Sequence, residues 1–341
     1  MNDVDELKQF AAVHAQLQGV DDGLWRGVLD RIRDDGPGTP GSWVAEWSAA
    51  AAELEAQGEL LAAAHCYILA RFPYVDGPHR REALHRALRA FDAWRAGVPG
   101  IERIEVKLDD PAGTLRCWAS GLSVTAPRPL LMFTGGIVSL KEQWAPLLML
   151  GEQLGMAVVV GEMPGVGENL LPYRRDSWRM FTAVIDAVAD RVVADQAYAI
   201  ANSFSGHLAL RCAAQDRRIR GVISNAAPIS DFFTDAAWQA RLPSITVATL
   251  AHLTGHPVGE LGGRLRDWAL TGPELSGLEI PVAYCVSRRD EITPPSEAEH
   301  LRAHVRHLSI MEFDDVHGSP GHLDETRQWV VGSLLSMRHG A

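Results

Sequence analysis

Cysteine is scarce in this chain and shows no paired spacing. Cys66, Cys117, Cys212 and Cys285 are scattered through 341 residues in apolar surroundings, a pattern that suits buried, reduced thiols in the cytoplasm and supplies no disulfide framework. No apolar run reaches the ~18 residues that a membrane-spanning helix needs. The start, Met1-Asn2-Asp3-Val4-Asp5-Glu6-Leu7-Lys8, has neither the basic nor the apolar region of a secretory signal, so a cytoplasmic location is expected. Positive charge is in deficit: 32 basic residues against 43 acidic ones leave −11, which argues against nucleic acid and anionic membrane as partners. Dinucleotide and phosphate loops are missing too. Met163-Pro164-Gly165-Val166-Gly167-Glu168-Asn169 is rich in glycine, yet it lacks both Gly-x-Gly-x-x-Gly and Gly-Lys-Ser/Thr and reads as a site-shaping turn. His300, His304 and His307 share one expected helix without a cysteine or carboxylate to complete a metal site, so they read as solvated, and neither metal nor cofactor is expected.

What the chain does have is centred on Gln196-Ala197-Tyr198-Ala199-Ile200-Ala201-Asn202-Ser203-Phe204-Ser205-Gly206-His207. An apolar run stops at a serine and restarts as a helix of small residues, the pattern of a nucleophile elbow. The sharp strand-to-helix turn brings the residues two before and two after the serine together, so both must be small. With Ser203 as nucleophile they are Ala201 and Ser205; with Ser205 they are Ser203 and His207, and an imidazole does not fit. The elbow departs from Gly-x-Ser-x-Gly at both glycines, and an ordinary turn containing serine has the same look. The reading needs partners.

They follow in the order serine, acid, histidine. The apolar run Ile280 to Ser287 opens into Arg288-Arg289-Asp290-Glu291-Ile292-Thr293. Asp290 stands just past its carboxyl end, where a carboxylate can orient an imidazole; Glu291 is the rival acid, and a helix cap the plainer role. The strand Leu308 to Phe313 leads through Asp314-Asp315-Val316 to His317, ahead of a helix Leu323 to Met337. His322 is the rival base, but it sits where the positive end of a helix dipole disfavours an imidazolium.

Strands are expected at Ile101 to Lys107, Thr114 to Ala119, Pro129 to Phe133, Met156 to Glu162, Gln196 to Asn202 and Arg220 to Ser224, besides the two above. Helical spacing falls between them at Glu142 to Leu154, Trp178 to Val193, Gly206 to Gln215 and Ser296 to Val305. Alternation of this kind implies a mostly parallel eight-stranded sheet flanked by helices, with its site at the carboxyl ends of the strands. That is an α/β-hydrolase fold. The second oxyanion donor then comes from the loop after the third strand. It reads Phe133-Thr134-Gly135-Gly136-Ile137-Val138-Ser139-Leu140-Lys141-Glu142, so amides near Gly136 and Ile137, with that of Phe204, are the expected hole, a plain Gly-Gly turn being the alternative.

Residues 1–97 carry helical periodicity only, with Trp43 to Ala70 rich in alanine and leucine and Arg81 to Ala96 amphipathic. They are expected to form a lid, or a packing element that pairs two copies into a homodimer, ahead of a hydrolase core over 98–341. A helical cap insertion is expected over about 229–270. It carries Phe232, Phe233 and Trp238, which with Gly135 would wall a pocket for a hydrophobic small molecule, although aromatics at this spacing are more often core.

The helical amino-terminal segment, Gly135 to Glu142, Pro164-Gly165-Val166-Gly167-Glu168 and the Ser203 elbow together resemble the fermentation-respiration-switch esterase group of α/β hydrolases. That group includes dihydroxypseudooxynicotine hydrolase and pigment-polyketide hydrolases that cleave a carbon–carbon bond beside a carbonyl. The resemblance covers most of residues 60–341 and places its triad on Ser203, Asp290 and His317. Ala201, Ser205 and Glu162 stand where the group more often has Gly, Gly and Asp. It implies hydrolysis of an ester or a carbonyl-activated carbon–carbon bond in a polyketide-type or aromatic metabolite. Two alternatives stay open: a natural-product tailoring enzyme that eliminates an acyl group such as acetate, similar to homologues in spirotetronate pathways, or closes a ring by Dieckmann chemistry; and a non-catalytic binding protein on the same fold.

Overall fold

The computed structural model describes residues 2–36, 38–108 and 113–340. The chain falls into two compact units. One takes residues 1–101, 142–145 and 243–249; the other takes 102–141, 146–242 and 250–341.

The first unit is helical. Its alanine- and leucine-rich stretch breaks into helices Trp43–Ala56 and Leu60–Arg71 because Gly58, at φ +82°, takes the left-handed position that ends the first of them. The Glu59 amide then reaches back to the Leu54 carbonyl at 2.9 Å and the Gly58 amide to that of Glu55 at 3.1 Å, satisfying carbonyls that the helix end leaves open. Trp43, Trp47 and Tyr67 are fully buried between these helices and Pro78–Ala96. Arg80, buried as well, is neutralised by Asp35 at 2.6 Å. Residues 243–249 are tied in by Glu6, whose carboxylate accepts the Ser244 amide and hydroxyl and the Ile245 amide.

The second unit holds the sheet. Its strands are β1 (Ile101–Lys107), β2 (Thr114–Ser120), β3 (Arg128–Thr134), β4 (Ala157–Gly161), β5 (Val192–Ala201), β6 (Ile219–Asn225), β7 (Val282–Ser287) and β8 (Leu308–Phe313). They lie in the order β1-β2-β4-β3-β5-β6-β7-β8. β2 runs antiparallel to β4, and every pairing from β4 through β8 is parallel. This is the α/β-hydrolase arrangement. Helices Arg179–Val188 and Phe204–Ala213 pack on β5, and Leu323–His339 packs on β6 and β7. Between β6 and β7 the chain is again helical, from Asp231–Thr234 to Gly272–Ser276. Among the described residues, no helix is long and apolar enough to cross a membrane.

One expectation needs correcting. Helical spacing over Trp178 to Val193 overshoots: the helix ends at Val188, and Val192 and Val193 already pair with Arg128 and Pro129 of β3. The register then jumps from Val193 to Ala197 against consecutive residues of β3. A local period cannot foresee an irregularity imposed by pairing with a distant strand. His300 is half-exposed, and its Nε2 lies 2.8 Å from Asp231 Oδ1.

Candidate active site

Ser203 occupies a turn that few side chains tolerate. Its φ of 54° and ψ of −132° lie outside the favoured regions for a residue with a Cβ, a strain of about 1–3 kcal/mol that persists only where neighbours enforce it. They do so here: the Ser203 amide donates to the Asn225 carbonyl at 2.7 Å, and its own carbonyl accepts from Gly206 at 2.8 Å. At Gly206 the helix runs close against β6. A Cβ on it would stand 2.0 Å from Ser224 Oγ, 2.7 Å from Ala227 Cβ and 2.9 Å from the Ala201 carbonyl, so the close approach expected from the sequence is real and only glycine allows it.

Ser203 Oγ lies 3.1 Å from His317 Nε2. The other ring nitrogen, Nδ1, is held by both oxygens of Asp290, Oδ2 at 2.8 Å and Oδ1 at 3.0 Å. Asp290 is 4% exposed, and its Oδ1 also accepts the amides of Ile292 at 2.8 Å and Thr293 at 2.7 Å. The carboxylate is therefore fixed in a turn of its own making. Parallel strands explain how residues 203, 290 and 317 meet: β5, β7 and β8 all end at the same edge, and each residue sits in the first loop beyond its strand.

The alternatives lie elsewhere. Ser205 Oγ is buried and donates to the carbonyls of Thr134 and Asn202 at 2.8 and 2.9 Å. His322 stacks on Phe313 with ring centres 4.4 Å apart. Glu291 uses Oε2 to accept the main-chain amide of His317 at 3.1 Å, so it supports the histidine loop without touching the imidazole nitrogens.

Burial alone would lower the His317 pKa. The charge and hydrogen bond of Asp290, with the nearby charge of Glu291, outweigh it and raise the group above its ordinary value. His207 behaves oppositely. It is completely buried next to the cationic Arg211 and is pushed down to about 3, which leaves it a neutral core side chain. All four cysteines are buried and free, and burial lifts Cys66, Cys117 and Cys212 to about 12, as inert thiols require.

Gly136 also lies against Ser203. A Cβ there would come 3.2 Å from Ser203 Cβ and 3.6 Å from its Oγ, so the loop after β3 passes directly against the elbow. Gly135 and Ile137 are buried beside it. Phe204, which carries the other expected donor, opens the helix Phe204–Ala213.

Phe232 and Phe233 are core instead of pocket wall. Each is about 1% exposed; Phe232 meets Phe204 edge-on with centres 5.0 Å apart, and Phe233 packs on His207 at 4.8 Å. They buttress the elbow from within. Trp238 is partly exposed and donates its indole N–H to the Ile292 carbonyl at 2.8 Å, beside the Asp290 turn. Two contributors carry no sequence signal. Asn225 bridges the elbow and the histidine loop, its carbonyl taking the Ser203 amide and its Nδ2 donating to the Gly318 carbonyl at 3.1 Å. Asp315 shapes that loop by accepting the amides of Val316 and Gly321.

A family model described as esterase FrsA-like matches residues 40–310. The chain belongs to the FrsA-like esterase family. Among curated FrsA-like relatives, Esterase FrsA of Vibrio cholerae serotype O1 is 26% identical over 254 residues, 67% of this chain and 60% of that protein. The chain thus spans 60% of the length of that curated relative. Among solved structures, one described as AbyA5 wildtype is 51% identical with a TM-score of 0.95, covering 99% of this chain and 95% of the other. A 2,6-dihydroxy-pseudo-oxynicotine hydrolase shares the fold at 22% identity, with a TM-score of 0.74 over 95% and 96% of the two chains.

Proposed function

We propose that Ser203, His317 and Asp290 form a catalytic triad acting on an ester or a carbonyl-activated carbon–carbon bond of a small hydrophobic metabolite, of polyketide or aromatic type. The observation that carries this reading is the continuous contact from Ser203 Oγ through His317 to the buried Asp290. Ser203 Oγ attacks the carbonyl while His317 Nε2 takes its proton, and Asp290 steadies the imidazolium. The amides of Phe204 and the Gly136–Ile137 loop face the oxygen that becomes negative. His317 returns the proton to the departing alkoxide or carbanion, and water then releases the acyl group from Ser203. The net negative charge and the buried thiols support a metabolite-directed enzyme of a reducing compartment, without nucleic acid or membrane as partner.

A second reading keeps the residues and changes the outcome: His317 removes a proton α to a carbonyl, and a β-acyloxy group leaves as carboxylate, as in natural-product tailoring. The named hydrolase is a more distant structural neighbour than AbyA5, at 22% identity against 51%, so the reaction its name states leaves room for this second outcome. A β-acetoxy ketone turned over in ¹⁸O-water separates the two. Hydrolysis through an acyl-serine places label in the acetate and yields an alcohol, whereas elimination yields an alkene and unlabelled acetate. A fluorophosphonate adduct mapped to Ser203 is expected, and an adduct at Ser205 in a folded, active sample moves the nucleophile.

Either reaction needs neutral His317. Because the folded pKa is raised, the protonated form persists to higher pH than in a free imidazole, and activity should appear only above the ordinary value of about 6.5. The stability linkage has the opposite sign: the His317–Asp290 attraction is fully present below that value and is lost as pH rises through the raised one. A kcat/KM profile whose acid limb falls at or below about 6.5 would detach His317 from the rate.

A further inference from the structure

β3 and β4 run in parallel register with Thr134 opposite Gly161, so the loops that follow them leave the sheet side by side. The first runs from Gly135 to Lys141 and passes against Ser203. The second runs from Glu162 to Asn169. One carboxylate joins them. Glu162 is fully buried; its Oε2 accepts the Lys141 amide at 3.2 Å, and its Oε1 accepts the Glu168 amide at 2.8 Å and the Lys141 ammonium at 3.2 Å. Lys141, also fully buried, donates to Glu168 Oε2 at 2.9 Å. Glu168 Oε1 is held from outside by Arg103 at 2.6 Å, with Arg116 at 3.7 Å.

The neighbourhood is built around this contact. Gly167 has a φ of +59°, and a Cβ on it would lie 2.3 Å from Glu162 Oε2, so the loop wraps the carboxylate with no room for a side chain. Asn169 donates to the Glu162 carbonyl at 3.3 Å. Lysine is rare here, Lys8, Lys107 and Lys141 being the only three, and the compact ammonium of Lys141 serves two carboxylates, Glu162 and Glu168, with its three donors. Burying such charges gains little stability over apolar packing. What the network fixes is the path of the chain from Gly135 to Lys141, one end anchored by β3 and the other by Glu162.

We propose that Lys141 and Glu162 are positioning residues that clamp the loop after β3, so that the Gly136 and Ile137 amides stay aimed at the oxygen of the substrate held by Ser203. The inference rests on the acyl-transfer reading above. It assigns to a buried ion pair, in contact with no reacting atom, control over stabilisation of the transition state.

The test compares Lys141→Met and Glu162→Asp in the full-length protein. Lys141→Met removes the charge at similar volume; Glu162→Asp keeps the charge but withdraws it by one methylene, and serves if the first variant folds poorly. The clamp predicts kcat on a nitrophenyl ester lowered by about 10²-fold in Lys141→Met, as for loss of one oxyanion donor, and by less in Glu162→Asp, with KM nearly unchanged. Affinity for a trifluoromethyl ketone, which forms a tetrahedral adduct with the serine, should fall in parallel, while affinity for the matching methyl ketone holds. Amide hydrogen exchange across residues 135–141 should rise in both variants. A purely structural pair would lower the melting temperature and leave kcat of the folded protein intact, and that result overturns the clamp. If Ser203→Ala kept full turnover, acyl transfer itself would fail; the exchange measurement still decides the clamp, since a loop as protected as in the parent protein refutes it.

Discussion

Ser203→Ala is expected to lower ester turnover by about 10⁴-fold or more while the protein stays folded. The loss should be large because Ser203 supplies the hydroxyl that His317 Nε2 meets at 3.1 Å. Ser205, two residues on, is buried and committed to the carbonyls of Thr134 and Asn202. The fold should survive because alanine keeps the Cβ and enters the same turn, whose φ of 54° is enforced by the Asn225 carbonyl and the Gly206 amide. Removing Oγ sacrifices one hydrogen bond, to His317 at 3.1 Å, which is worth about 1 kcal/mol. The measurement is kcat for Ser203→Ala and Ser205→Ala side by side, on a simple ester and on a β-acetoxy ketone. Ester turnover by Ser203→Ala within about tenfold of the parent would remove the serine from the mechanism. A deep loss on the ester with a shallow loss on the ketone would instead assign elimination to His317 acting alone.

Much of this site is legible in the sequence, because each catalytic candidate follows a buried strand. β7 is buried along its whole length, so an unbroken apolar run marks its end and singles out Asp290. The small residues around Ser203 answer a steric demand of the turn, and Gly206, where a Cβ would stand 2.0 Å from Ser224 Oγ, shows how strict that demand is. Order leaves both His317 and His322 between the last strand and the last helix, and the helix dipole beside His322 turns the choice to His317.

The parts that are not legible share a different physical character. Asn225, Glu162 and Asp315 act through hydrogen bonds to main-chain atoms of loops, and a lone polar residue carries no period. The amino-terminal part of β5 was hidden because its valines continue the helical spacing before them, and pairing with β3 overrides it. Phe232 and Phe233 look alike in sequence whether they line a pocket or fill a core. Only their contacts with Phe204 and His207 distinguish the two.

Asp290→Asn should reduce kcat by about 10⁴-fold with little change in stability. Asp290 Oδ1 accepts the amides of Ile292 and Thr293 and lies 3.0 Å from His317 Nδ1, while Oδ2, with no such amides to hold, makes the shorter contact at 2.8 Å. In the asparagine the only oxygen must remain on those two amides, so the NH₂ group is turned toward the imidazole. It donates there, and Nδ1 has to accept. The neutral ring then carries its proton on Nε2, 3.1 Å from Ser203 Oγ, where an acceptor is required, and the serine cannot be deprotonated. Glu291 cannot restore the missing charge at Nδ1, since its Oε2 holds the main-chain amide of His317. The Asp290 turn itself persists, so the melting temperature should stay near that of the parent, whereas Asp290→Ala loses both amide bonds and should destabilise as well as inactivate. Nitrogen NMR of the His317 ring in Asp290→Asn should show the proton moved from Nδ1 to Nε2. Retention of activity within about tenfold, with the ring proton still on Nδ1, would reduce Asp290 to the acceptor of a tight turn and leave the histidine without a catalytic acid.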